Sequence, residues 1–126
     1  MNSGFNATGT RTSLTAKDLS KSVAWYRDVL GFEVLYQAET NAGVKAGNVF
    51  IYLNQDDGKK GWDRVKGEGF ALQFAVDGNV DEVANRIKAA GGKLESEPAD
   101  MPWGQRMFRL HDPDGFRISI AADLKK

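Results

Sequence analysis

The sequence predicts an α+β protein, a single domain over residues 1–126 built from two successive βαβββ modules. Three observations predict it. Two apolar stripes at helical spacing, Leu19-Val23-Tyr26-Leu30 and Val80-Val83-Ile87-Ala90, each follow a short alternating run. Both stripes stop at glycine, and the stops Gly31 and Gly91 lie 60 residues apart, as do Leu14 and Phe74 in the runs before them. Farther on, residues 106–110 and 116–120 alternate around Asp112-Pro113-Asp114-Gly115, where Pro113 presets φ, Asp112 can bond nearby backbone and Gly115 tolerates positive φ.

Residues 10–16 alternate weakly and read as a strand, and Asp18 then offers an N-cap for a helix over 19–30. Residues 32–39, rich in Val, Leu and Tyr, restart as a strand. Asn41 to Gly43 reads as a turn followed by a short strand around Val44-Lys45, and the strongly apolar strand 48–54 closes the first module, 10–54. Residues 55–69 form a polar, glycine-rich loop whose length suits a functional role, and Trp62 in its middle either pins the loop or closes over a ligand. The second module, 70–121, opens with a strand over 70–76, and Asn79 with Glu82 makes a capping box for its helix. One amphipathic helix per small sheet covers one face and leaves the other to a partner sheet or a ligand.

Composition excludes several classes. Lys plus Arg and Asp plus Glu are balanced at 17 each, so no global field recruits nucleic acid or an anionic membrane, and the Lys59-Lys60 stretch is interrupted by aspartates. The absence of cysteine rules out disulfides, thiolate metal sites and Cys nucleophiles, and it suits a cytoplasmic location. Residues 1–9 form a polar lead-in without the basic and apolar runs of a secretory signal, and no window approaches the ~18 apolar residues of a membrane span. The glycines of the 43–69 region mark turns and do not form a phosphate-cradling fingerprint.

Residues 18–32, Asp18-Leu19-Ser20-Lys21-Ser22-Val23-Ala24-Trp25-Tyr26-Arg27-Asp28-Val29-Leu30-Gly31-Phe32, resemble the signature D-L-x-x-S-x-x-F-Y-x-x-x-L-G-F of the glyoxalase, bleomycin-resistance and extradiol-dioxygenase (vicinal oxygen chelate) superfamily. Trp103-Gly104 with Asp112-Pro113-Asp114-Gly115 is similar to the second-half signature of the same superfamily. This resemblance implies curled mixed sheets, commonly paired into cups in a homodimer. It also implies a divalent metal held by residues from the first and last strand of each module. Carried over residue by residue, those places hold Arg11, Tyr52, Ala71 and Ser119, with no histidine or carboxylate among them. Divalent metals of this class take imidazole nitrogen or carboxylate oxygen. No catalytic residue, metal ligand or cofactor is therefore expected, and His111 reads as a turn or surface residue.

Strand alternation then sets the lining of the open face. Leu14, Ile51, Leu53, Leu72, Phe74, Val76, Ile118 and Ile120 form an apolar set that belongs under the helices. The other phase offers Arg11, Phe50, Tyr52, Gln73, Met107, Arg109, Arg117 and Ser119, to which Trp62 and Trp103 add aromatic surface. An aromatic pocket with a few polar anchors and no carboxylate suits a small organic ligand. The arginines have a second reading, as strand-edge residues paired with acids such as Glu33, Glu39 or Glu95. The expected activity is metal-independent binding of a small aromatic molecule or antibiotic, resembling the bleomycin-resistance branch, with Trp103 stacking on it. The alternative is a lyase, isomerase or dioxygenase acting on a small carbonyl or catechol-like compound.

Overall fold

The computed structural model describes residues 4–124; the first three positions of the polar lead-in lie outside the described residues. Strand β1 (Thr12–Ala16), helix α1 (Leu19–Asp28) and strands β2 (Glu33–Gln37), β3 (Asn41–Ala46) and β4 (Val49–Gln55) make the first module. The second repeats the order with β5 (Ala71–Ala75), α2 (Val80–Ala89), β6 (Leu94–Asp100), β7 (Gln105–His111) and β8 (Arg117–Asp123). Each module is a four-stranded mixed sheet, in the orders β1-β4-β3-β2 and β5-β8-β7-β6. The outer strand β1 runs parallel to β4 and β5 parallel to β8, while the remaining pairs are antiparallel.

Local chemistry delimits the helices as the sequence predicts. Asp18 accepts the Lys21 amide and Asn79 accepts the Glu82 amide, so each helix has a side-chain N-cap. At the other ends Gly31 (φ 78°) and Gly91 (φ 93°) adopt the left-handed conformation, and the amides of Phe32 and Gly92 turn back to the carbonyls of Tyr26 and Ile87.

The expected turn at Asn41 to Gly43 is corrected. Asn41 already begins β3, which pairs without interruption from Asn41 opposite Asn54 to Ala46 opposite Val49. Gly43 sits inside the strand for a steric reason: a Cβ there would lie 2.7 Å from the Tyr36 ring and 2.9 Å from that of Phe50.

Both sheets turn their apolar faces into one shared core. Leu14, Val44, Ile51 and Leu53 from the first sheet meet Phe108, Leu110, Ile118 and Ile120 from the second, with Leu19, Val23 and Tyr26 of α1 and Val80, Ala84 and Ile87 of α2 between them. Phe32 meets Phe74 edge-on at 5.8 Å across the two modules.

A polar latch adds to this seam. Tyr26 Oη donates to Asp112 Oδ2 at 2.8 Å, Ser22 Oγ donates to Asp114 Oδ2 at 2.8 Å, and the Lys17 amide donates to Asp114 Oδ1 at 2.7 Å. The 112–115 turn of the second module is thus tied to the start of α1 in the first. Within the turn Asp112 Oδ1 accepts the amides of Asp114 and Phe116, the role its position predicts.

Because the helix-side faces share a core, the opposite faces of the two sheets are directed outward. Strands β1 and β5 are free edges of their sheets. Among the described residues no helix is long and apolar enough to cross a membrane.

Candidate functional site

The outward faces carry the residues that strand alternation assigns to them. On the first sheet, Phe50 and Tyr52 pack edge to face with ring centroids 4.5 Å apart, and the Tyr36 ring joins them across the bare backbone of Gly43. Ser13 and Asn54 border this aromatic cluster, joined by a hydrogen bond from the Asn54 amide to the Ser13 hydroxyl. No signal in the sequence places Tyr36 on this face. Strands β2 and β3 shift register between Val34 and Tyr36, which strand alternation does not foresee.

The second sheet presents a polar row. Gln73 is paired with Ser119, Ser119 with Arg109, and Arg109 with Ser96, so these four positions cross the sheet from β5 to β6 at one level. Phe108 and Leu110 are fully buried under the helices, which turns Arg109 and Met107 to the open side. Met107 is buried on that side and so is less accessible than a flexible wall residue would be. Gln73 donates to Gln105 Oε1, which also accepts the Trp103 indole N–H at 3.0 Å. Trp103 is 60% exposed in the turn between β6 and β7.

Open recesses flank this row. One, of about 680 Å³, is lined by Ala75, Gln105, Ala121 and Asp123 together with Asp77 and Asn79 before α2. Two carboxylates line this recess, Asp77 from the β5–α2 connection and Asp123 from the end of β8. The other, of about 470 Å³, lies beside Ala71, Phe70, His111 and Arg117.

Three arginines behave differently. Arg117 Nη2 lies 2.9 Å from Glu95 Oε2, and His111 Nδ1 lies 3.2 Å from the other Glu95 oxygen. For Arg117 the surface-pairing reading therefore holds. Arg11 precedes β1 and is exposed. Arg109 is half-buried, and among the described residues its guanidinium has neither an ion pair nor a hydrogen bond; only its backbone amide is engaged, by Ser96 Oγ.

Trp62 lies apart from both open faces. Its ring covers Gly58 in its own loop and lines a recess of about 350 Å³ with Lys17, Lys21, Ser22 and Asp114 beside the start of α1. The rest of the loop is held by charge. Asp56 is buried, with Arg64 Nη2 at 3.3 Å and Lys66 Nζ at 3.9 Å, and Lys66 is equally close to Asp114. These residues bind the loop to the latch.

Two small curled sheets, each backed by one helix and repeated along the chain, define the class of paired βαβββ proteins. The profile of the Glyoxalase/Bleomycin resistance protein/Dioxygenase superfamily matches residues 9–120, and the chain belongs to that superfamily. It is similar to a protein named probable lactoylglutathione lyase from Synechocystis sp., with 27% identity over 86% of this chain and 90% of that one. Lactoylglutathione lyase of Salmonella typhimurium is 28% identical over 86% of this chain and 87% of its own. A glyoxalase/bleomycin resistance protein/dioxygenase structure from Nocardioides superposes with a TM-score of 0.76 at 23% identity, covering 98% of this chain and 87% of that one, and so shares the fold.

A divalent metal is implied by the superfamily resemblance, and the residues at its place do not fit one. Tyr52 is paired with Ser13, and Ser119 with Gln73; Arg11 and Ala71 lie two positions away on the same faces. Neutral hydroxyls, an amide, a methyl and a guanidinium do not make the imidazole or carboxylate donor set such a metal takes. Among the described residues no three His, Asp, Glu or Cys side chains converge in a metal-holding group.

Proposed function

We propose that the chain binds a small aromatic organic molecule without a catalytic metal, in the manner of the drug-sequestering members of its superfamily. The observation that carries this reading is the character of the open faces: a Tyr36-Phe50-Tyr52 cluster on one sheet and the Gln73-Ser119-Arg109 row on the other. Aromatic walls with a few polar anchors are the ordinary make-up of a small-molecule site. Trp103 would contribute a further stacking surface from the edge.

Within one chain the two faces point apart, so a complete cup needs the first sheet of one copy beside the second sheet of another. The free edges of β1 and β5 are suited to meet in such a homodimer, which would also cover two rows of unpaired backbone groups. Light scattering reads the dimer directly, and a monomer at working concentration would refute this arrangement.

Metal analysis of protein purified without tag or chelator, combined with thermal shifts against a panel of aromatic drugs, tests the binding reading. Shifts with at least one compound and no stoichiometric metal are expected. A second reading, a lyase, isomerase or dioxygenase of the same fold, draws on the relatives named lactoylglutathione lyase. One tightly held Zn, Ni, Mn or Fe per chain would favour it and sink the first.

A further inference from the structure

We propose that the cup formed by this chain selects ligands bearing an anionic group, specifically an aromatic carboxylate, and that Arg109 with Ser119 is its anchor. The proposal rests on the binding reading above and adds the charge of the ligand. Of the three half-buried arginines among the described residues, Arg64 is paired with Asp56 and Arg106 with Asp81 and Asp100. Arg109 alone of the three is left without a counter-charge. A guanidinium that has lost part of its water and gained no partner is costly unless something else pairs with it.

Its surroundings supply the rest of a carboxylate site. Ser119 faces Arg109 directly across the strand pair, is only 5% exposed, and its hydroxyl makes no hydrogen bond among the described residues. Two unengaged donors therefore stand side by side, a planar fork suited to bidentate contact and a hydroxyl. Glu95, next to the Ser96 that pairs with Arg109, is already taken by Arg117 and His111. Asp123 lies four residues along β8 from Ser119, roughly 13 Å at the rise of a strand, so it does not neutralise this point.

Ser119 is also one of the positions carried over from the metal site. Beside the place where other members of the fold would hold a cation, this chain sets a fixed positive side chain. An oxyanion of the ligand would then be met by Arg109, and its ring by the aromatic cluster of the facing sheet.

Calorimetric titration of the intact protein with naphthoate and with naphthamide, its uncharged counterpart of the same shape, provides the test. Naphthoate should bind at least about tenfold more tightly at neutral pH, with the preference shrinking as salt is added. Arg109→Gln should erase the preference by weakening naphthoate far more than naphthamide, and Arg109→Lys should keep part of it. The comparison on the unmodified chain requires no variant, so it stands even if a substitution unfolds the protein. Equal or tighter binding of naphthamide would overturn the anion proposal and leave aromatic binding intact, as would a preference that survives Arg109→Gln. If neither compound binds, the anion proposal falls, and the drug panel separately decides the binding reading.

Discussion

The Tyr26 hydroxyl, on the helix of the first module, donates to the Asp112 carboxylate in the last turn of the second at 2.8 Å, and both residues are buried. Asp112 keeps two backbone amides as partners on its other oxygen, so the phenol is the link between modules and the amides are the link within the turn. Tyr26→Phe removes the first and leaves one buried carboxylate oxygen unpaired. A loss of about 1–3 kcal/mol is expected, read as a lower midpoint in urea with little change in slope.

The same pair makes stability depend on alkaline pH. Burial, reinforced by the nearby Asp112 charge, holds the Tyr26 phenol far above its ordinary range. The folded state therefore keeps that proton while the unfolded chain releases it above about pH 10, and stability falls as pH rises through that window. Tyr26→Phe should flatten this fall. Denaturation midpoints of both proteins compared between neutral and strongly alkaline pH would check it, and parallel curves would refute it.

Lys66 holds the 56–69 loop in place from a nearly buried position, 3.9 Å from both Asp56 and Asp114. Lys66→Met removes the cation that both carboxylates share, and the loss of a partner from such a cluster costs about 3 kcal/mol. The loop should become the first site of cleavage in limited proteolysis. Cleavage unchanged in site and rate would show that the other contacts of the loop, Arg64 with Asp56 and Trp62 over Gly58, hold it without Lys66.

Gly92 follows α2 where the helices approach. A Cβ there would lie 2.6 Å from Ile87 Cγ2 and 2.7 Å from Val29 Cγ1, with the Ile87 carbonyl at 3.0 Å. Gly92→Ala should destabilise by about 1–3 kcal/mol despite the entropy an alanine removes from the unfolded chain. Thermal melting measures it, and an unchanged midpoint would mean that the helices separate freely.

Trp103 offers an exposed indole at the rim, steered by a hydrogen bond to Gln105. If it stacks on the bound aromatic, Trp103→Ala should weaken the affinity of a panel compound by about 1–3 kcal/mol without lowering the melting temperature. Unaltered affinity would remove Trp103 from the site.

Much of the fold was legible because its signals are local. The caps at Asp18 and Asn79, the glycine stops and the Asp112 turn each depend on residues a few places apart, and the alternation of Ile51-Tyr52-Leu53 or Phe108-Arg109-Leu110 reports burial directly. Strand β6, Leu-Glu-Ser-Glu-Pro-Ala-Asp, had no such signal, since it is a polar edge strand interrupted by Pro98 and by two register shifts. The candidate site was legible as two sets of residues. Their distribution over two outward faces was not, because it follows from how the modules pack on one another. Trp62 illustrates the same gap: its placement depends on Gly58 beneath it and on the 112–115 turn, which is distant in sequence.

The latch also gives the fold a direction in time. Synthesis runs from the amino to the carboxyl end, so Tyr26, Ser22 and the Lys17 amide emerge long before their partners Asp112 and Asp114. Until that last hairpin appears, the nascent first module carries an unfilled apolar seam and three polar groups that only water can satisfy. The final hairpin acts as the clasp of the whole molecule, and a ribosome stalled before it would display half a fold that has nothing to close on.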